Sequence, residues 1–161
     1  MPAPWTDPAI VARAKDMHIA IGQKPIVMAK EIDGFLMNRL QGALLEECFR
    51  LVEGGYVTAA EIDDSVKHGL AMRWAIIGPF ETMELNAPGG IRDYVQRYRD
   101  GFAKMYNGSQ WRATWDGDTL EKIATCREAA LPRDKIQDRQ NWRDQQLVRM
   151  AAFKRQMVDG G

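Results

Sequence analysis

Two histidines, His18 and His68, are the only imidazoles in the chain. A zinc site of the His-Glu-x-x-His kind needs two of them on one helical face, and these lie far apart in sequence. His18 reads as a surface or structural histidine. His68, beside Lys67, suits a helix C-terminus, where a positive charge meets the negative end of the helix dipole. Glu46 and Glu47 are adjacent carboxylates, but neighbours on a helix point about 100° apart and cannot act on one reacting group. No Ser-His-Asp set can be assembled. A dinucleotide fold announces itself by Gly-x-Gly-x-x-Gly between a strand and a helix, and neither that pattern nor a P-loop occurs. Cys48 and Cys126 form no Cys-x-x-Cys pair and read as reduced cytoplasmic thiols. Taken alone, these residues specify no active site.

The rest of the composition narrows the class. The chain has 161 residues, 45% hydrophobic and 27% charged, with 22 basic and 22 acidic side chains. That suits one soluble globular domain with a core. The charge balance gives no reason to expect nucleic acid or a membrane surface as partner. No apolar run approaches the ~18 residues that span a bilayer, and the first residues do not resemble a secretory signal.

Helical periodicity dominates, and the expected fold class is all-α with roughly seven helices. Asp7-Pro8 should open the first helix and Gly22 close it. Pro25 to Met28 reads as a short extended link and Asp33-Gly34 as a turn. The strongest signal is a helix from about Phe35 to Glu53. At 100° per residue, Arg39, Glu46, Arg50 and Glu53 share one narrow wedge. Apolar residues fill well over half of the remaining circumference, where a lone surface helix needs only a ~100° stripe. This helix should therefore be covered on more than one side, by its own domain or by a second subunit. Its charged wedge should be the one wet face, with Glu46 and Arg50 paired one turn apart.

Gly54-Gly55 should stop that helix, and Thr58-Ala59-Ala60-Glu61 is a capping box for the next, which should end near Gly69. Leu70 to Ile77 reads as an apolar loop. Gly78-Pro79 opens a short helix, Asn86 to Gly90 interrupts it, and another runs from about Ile91 to Met105. Asn107 to Gly117 reads as a polar loop with Trp111 and Trp115. Asp118 to Glu121 resembles a second capping box, on a helix that stops at Leu131-Pro132. A last helix, about Arg133 to Met157, is charged nearly all round, its basic and acidic residues interleaved as on a solvated face.

The stretch Glu31-Ile32-Asp33-Gly34-Phe35-Leu36-Met37-Asn38-Arg39-Leu40-Gln41 resembles the Gly-Phe-x-x-Asn-Arg-Leu signature of 3-hydroxyacyl-CoA dehydrogenase C-terminal domains. Glu46-Glu47, Leu51 to Gly55, Ile62-Asp63, Gly69 and Gly78 to Thr82 follow in the family's order and spacing. Met72-Arg73-Trp74-Ala75, Leu85-Asn86-Ala87 and Arg139 to Asp144 are similar to the lambda-crystallin branch, which includes L-gulonate 3-dehydrogenase and some carnitine dehydrogenases. The likeness covers about residues 5 to 157.

This resemblance implies a single helical dimerisation and substrate domain over residues 1–161, with 1–6 the remnant of an interdomain linker. It implies that the Rossmann half, with its NAD site, catalytic histidine and partner glutamate, is absent. A split gene product, a truncated gene and a deliberately expressed piece would all give such a chain. The expected function is the substrate-binding half of an NAD-dependent 3-hydroxyacyl-CoA or 3-hydroxyacid dehydrogenase, inactive alone. Its expected partners are a second copy, a Rossmann half in cis or trans, and a small 3-hydroxy substrate. The alternative is a non-catalytic helical dimer that binds or scaffolds. In the family, the asparagine of the signature hydrogen-bonds substrate, and the match here is Asn38. The alternative for Asn38 is a buried residue that caps a neighbouring loop. Arg73, among Leu70, Met72, Trp74, Ile76 and Ile77, could hold a substrate carboxylate, or it could be a surface arginine or pair with Glu81 or Glu84.

Overall fold

The computed structural model describes residues 2–105 and 111–159. It is all-α, with no strand among the described residues. The chain divides into two compact units, residues 1–44 and 45–161.

In the first unit, α1 (Pro8–Ala20) begins as its sequence requires. Asp7 Oδ1 accepts from the Ala9 amide at 2.8 Å, and Pro8 takes the first helical position. Gly22 ends it at φ +81°, a left-handed conformation that costs glycine nothing. No regular element follows until Gly34, at φ +79°. Phe35 continues the turn at φ +50°, which costs a residue with a Cβ about 1–2 kcal/mol. This two-residue left-handed corner aims the chain into α2 (Phe35–Glu53), and Arg39 Nη1 braces it by donating to the Asp33 carbonyl at 3.4 Å. Residues 35–44 of α2 belong to this unit.

The second unit begins with residues 45–53 of α2. That helix ends at Gly54-Gly55, where the Tyr56 amide reaches back to the Leu51 carbonyl and the Tyr56 ring lies over Gly54. A Cβ on Gly54 would sit 2.5 Å from that ring, so a larger residue would push the Tyr56 ring aside. The capping box forms as the sequence predicts and starts α3 (Ala59–Ser65), the Glu61 amide donating to Thr58 and the Thr58 amide to the Glu61 carboxylate.

Two expectations fail beyond α3. The apolar stretch Leu70 to Ile77 is helical as far as Trp74, and only its last three residues are a turn. The helix continues through a π turn, Val66–Leu70, into α4 (Ala71–Trp74). Gly69 is too weak a breaker when good helix formers flank it, and the wider π turn absorbs the misfit. Gly78-Pro79 then opens α5 (Pro79–Leu85), and α6 (Gly90–Met105) packs against α5. The second capping box is also absent. α7 (Gly117–Ala130) begins one residue ahead of Asp118, and Asp116 flanks it without a side-chain cap bond. Asp118 contributes only a favourable charge to the first turn. α7 packs on α3, with Arg127 and Asp63 paired at 3.1 Å. Leu131-Pro132 stops it, a short 3-10 turn (Arg133–Lys135) follows, and α8 (Ile136–Asp159) extends for about 36 Å.

Burial is sparse. Among the described residues only Val52, Ala87, Ala113 and Thr119 are buried, and no large side chain is fully enclosed.

Candidate functional site

Asn38 lies on α2 in the first unit and is exposed. Its carboxamide has no hydrogen-bond partner among the described residues, so it caps no loop. Four residues on, a Cβ on Gly42 would meet nothing within 4 Å. The surface beside Asn38 is therefore open for about a turn along the helix, with an amide that can both donate and accept.

Arg73 lies in the second unit, on α4, and is also exposed. It forms no ion pair among the described residues. Neither Glu81 nor Glu84 reaches it, so the internal salt bridge is not made. Met72 and Ile76 beside it are largely exposed as well. The result is a free guanidinium on an apolar surface, suited to a carboxylate that arrives from outside.

The most elaborate polar geometry of the second unit was not anticipated. The wedge of α2 that should have faced water instead grips the extended segment 111–115. Glu46 accepts from the Ala113 amide at 2.7 Å and from Trp115 Nε1 at 2.9 Å. Glu53, two turns later on the same face, accepts from Trp111 Nε1 at 2.7 Å and from the Thr114 amide at 3.2 Å. Between them Phe49 stacks on Trp115, with ring centroids 4.3 Å apart and planes 4° from parallel. Consecutive amides of an extended chain point to opposite sides. Ala113 and Thr114 can therefore serve two carboxylates spaced about 10.5 Å along a helix.

With Glu46 committed to the segment, Arg50 pairs with Glu47 at 3.0 Å, not with Glu46. The donated hydrogen bonds hold both carboxyls below the usual carboxylate range. For Glu46 the Ala113 amide is the main cause, then Trp115, with Arg50 and Arg112 adding charge. For Glu53 the causes are Thr114 first, then Trp111, with Lys122 nearby. The signal was visible as two glutamates seven residues apart on one face and two tryptophans four apart. Nothing in the sequence alone linked the two. The N-terminal part of the expected polar loop, residues 106–110, lies outside the described residues.

The histidines take no part in such geometry. His18 Nδ1 contacts Gln23 Oε1 at 2.6 Å at the end of α1, and His68 lies in the π turn. Burial, with Asp63 and then Glu47 adding negative charge, pushes the Cys48 thiol up. Among the described residues no helix is long and apolar enough to cross a membrane.

Comparison with known proteins places this architecture. The family model described as "3-hydroxyacyl-CoA dehydrogenase, C-terminal domain" matches residues 34–125. Lambda-crystallin of Oryctolagus cuniculus is 42% identical over 159 residues, which is 98% of this chain and 50% of the relative. A 3-hydroxyacyl-CoA dehydrogenase of Gibberella moniliformis is 36% identical over 97 residues, 60% of this chain and 30% of its own. An L-carnitine dehydrogenase of Pseudomonas putida is 35% identical over 94 residues, 58% and 29% of the two chains. The chain spans about half the length of the lambda-crystallins it matches. A match through the Gly34–Phe35 corner, α2 and the α3–α7 pair, joined to similarity along nearly the whole chain, shows that the protein belongs to the 3-hydroxyacyl-CoA dehydrogenase C-terminal-domain family, on its lambda-crystallin side.

Proposed function

We propose that this chain is the substrate-binding and dimerising half of a cytoplasmic NAD-dependent 3-hydroxyacid or 3-hydroxyacyl-CoA dehydrogenase. One observation carries the reading. The chain matches one half of proteins twice its length, in a family whose members include 3-hydroxyacyl-CoA and L-carnitine dehydrogenases. The residues present do not form a dinucleotide cradle, since no Gly-x-Gly-x-x-Gly occurs in the chain. NAD and the proton-transferring histidine belong to a Rossmann half, in the same polypeptide or another. The chain's own part is to bind and orient. Asn38 is the first unit's candidate for a hydrogen bond to substrate, and Arg73 is the second unit's candidate for the carboxylate of a small free acid such as a gulonate-, carnitine- or hydroxybutyrate-like compound. Large apolar side chains left mostly exposed, among them Phe80 at 72%, Leu147 at 59% and Phe153 at 55%, support a homodimer.

The test is reconstitution. The chain is mixed with a Rossmann half of the family, and NADH formation is followed with free 3-hydroxy acids and with 3-hydroxyacyl-CoA. Activity that needs both halves supports the reading. A stable, inactive dimer in the presence of a functional Rossmann half overturns it and leaves the scaffolding role. In the reconstituted enzyme, Arg73→Ala should raise KM for free acids by about 30-fold or more, 30-fold being the low end for removing one partner of a charged hydrogen-bonded pair. An unchanged KM would remove Arg73 from the substrate site.

A further inference from the structure

The π turn between α3 and α4 changes which side chains the helix turns outward. The Ala71 amide donates to the Val66 carbonyl, five residues back, where an α-helix would reach four. The helix takes in one extra residue at this point. Every later side chain is therefore set back by about 100° from its place in an unbroken α-helix.

With Ile62 at zero, Val66 lies at about 40° on the same half-buried side of α3, the helix that packs on α7. In an unbroken α-helix Arg73 would follow at about 20°, between the two, and Ala71 and Ala75 would lie on the far side at about 180° and 220°. With the π turn, Trp74 takes the place at about 20°, Ala71 and Ala75 fall at about 80° and 120°, and Arg73 moves to about 280°. The exposures match the second arrangement. Ala71 and Ala75 are half-buried and Trp74 is 41% exposed, whereas Met72, at about 180°, is 64% exposed and Arg73 is open to solvent. The turn thus exchanges a guanidinium for an indole on the side shared with Ile62 and Val66, where the guanidinium would lose hydration to apolar neighbours.

We propose that the π turn Val66–Leu70 is the positioning device of Arg73, setting the register in which its guanidinium faces outward to take a substrate carboxylate. The inference rests on the reading of Arg73 above and adds what orients it. π turns are rare inside α-helices and recur at functional sites. Gly69 does not force this one. Its φ is not positive and a Cβ there would meet nothing within 4 Å, so neither backbone conformation nor crowding demands the extra residue.

The first measurement reads register without activity. In the full chain carrying Cys48→Ala/Cys126→Ala, Arg73→Cys leaves one thiol at the position in question, and it should react with a thiol reagent at nearly the rate of the unfolded chain. Inserting one alanine after Gly69 turns position 73 to about 20°, between Ile62 and Val66, and labelling should slow about tenfold or more while circular dichroism shows helicity kept. Deleting Gly69 removes the extra residue together with the π turn, leaves position 73 at about 280°, and should keep labelling fast. The second measurement uses the reconstituted enzyme with Arg73 in place. The insertion should raise KM for free 3-hydroxy acids about 30-fold, as Arg73→Ala does, and the deletion should leave it unchanged. Met72→Arg, which the insertion brings to about 280°, should restore the low KM in the inserted chain. Labelling that is equally fast in all three chains overturns the register device. A KM raised by Arg73→Ala but not by the insertion overturns the positioning role and leaves Arg73 in the substrate site. Labelling that shifts as expected, with KM raised by neither change, overturns the substrate reading of Arg73 and the positioning role with it, and leaves the register standing.

Discussion

The stack of Phe49 on Trp115 makes the attachment of segment 111–115 measurable. A tryptophan buries up to about 250 Å² when enclosed. Trp115 is 45% exposed, so somewhat more than half of that is withdrawn from water. At ~25 cal/mol per Å² the burial contributes about 3 kcal/mol, and the ring pair adds about 1 kcal/mol beyond area. Trp115→Ala should therefore lower stability by about 3–4 kcal/mol. Phe49→Ala, at a half-buried position, should cost about 2–3 kcal/mol, at or below the low end for an aromatic deletion. Because the two rings stack at 4.3 Å, the double variant should fall short of the sum by about 1 kcal/mol. Urea unfolding followed by circular dichroism at one fixed protein concentration gives all three numbers. Strict additivity, within about 0.3 kcal/mol, would show that the rings do not interact and that the segment is not held on α2 as described.

The same segment should be sensitive to acid. Glu46 and Glu53 have lowered pKa values in the folded chain, so their contribution is fully present above the usual carboxyl value of 4.5 and is lost as pH falls below it. Tryptophan emission should shift to the red in that window at a pH where helicity persists, and Glu46→Gln/Glu53→Gln should abolish the step. Thr58→Ala removes the α3 cap and should cost about 1 kcal/mol, read from the urea midpoint. Gly34→Ala should destabilise by about 1–2 kcal/mol, because φ is +79° there and Arg39 Cγ lies 3.4 Å from the new methyl group. Gly42→Ala, by contrast, meets nothing within 4 Å and should stabilise α2 by about 0.5–1 kcal/mol. If the surface beside Asn38 binds substrate, the same change should raise KM in a reconstituted enzyme. Cys48, its thiol pushed up by burial, should react slowly with thiol reagents at neutral pH, and denaturation should accelerate it.

The helices were largely legible because each is bounded by strong local chemistry. Asp7-Pro8, Gly22, Thr58 with Glu61, Gly78-Pro79 and Leu131-Pro132 all act within one turn of themselves, and each behaves as its sequence says. The errors lie where a local signal competed with a longer-range one. Gly69 looked like a stop, but the flanking residues favour helix and a π turn carried the chain through it. Asp118 and Glu121 had the spacing of a capping box, yet the helix had already begun at Gly117, which adopts φ +53°. Of the candidate site, the exposure of Arg73 and its lack of a carboxylate partner among the described residues could not be read from sequence. Glu81 and Glu84 follow it closely in the chain, and only the fold shows that neither turns toward it.

The reading of α2 shows most clearly where periodicity stops informing. The angular positions of Glu46, Arg50 and Glu53 were right, because they follow from helix geometry alone. The conclusion that their side faces water was wrong, because two carboxylates on one face are also the natural acceptors for an extended strand of amides and two indole N–H groups. A charged wedge identifies a face that needs polar company, and water is only one supplier of it. The same logic applied to the apolar arc gives the opposite result. Hydrophobic side chains have no partner in water, so residues 35–45 of α2, the apolar side of α6 and the C-terminal half of α8 each still require cover in a chain that leaves almost every one of them exposed. Polar faces can be satisfied within one chain by a five-residue segment. Apolar faces of this extent find no such company in water, which is the ground on which a second copy or a Rossmann half is proposed to cover them.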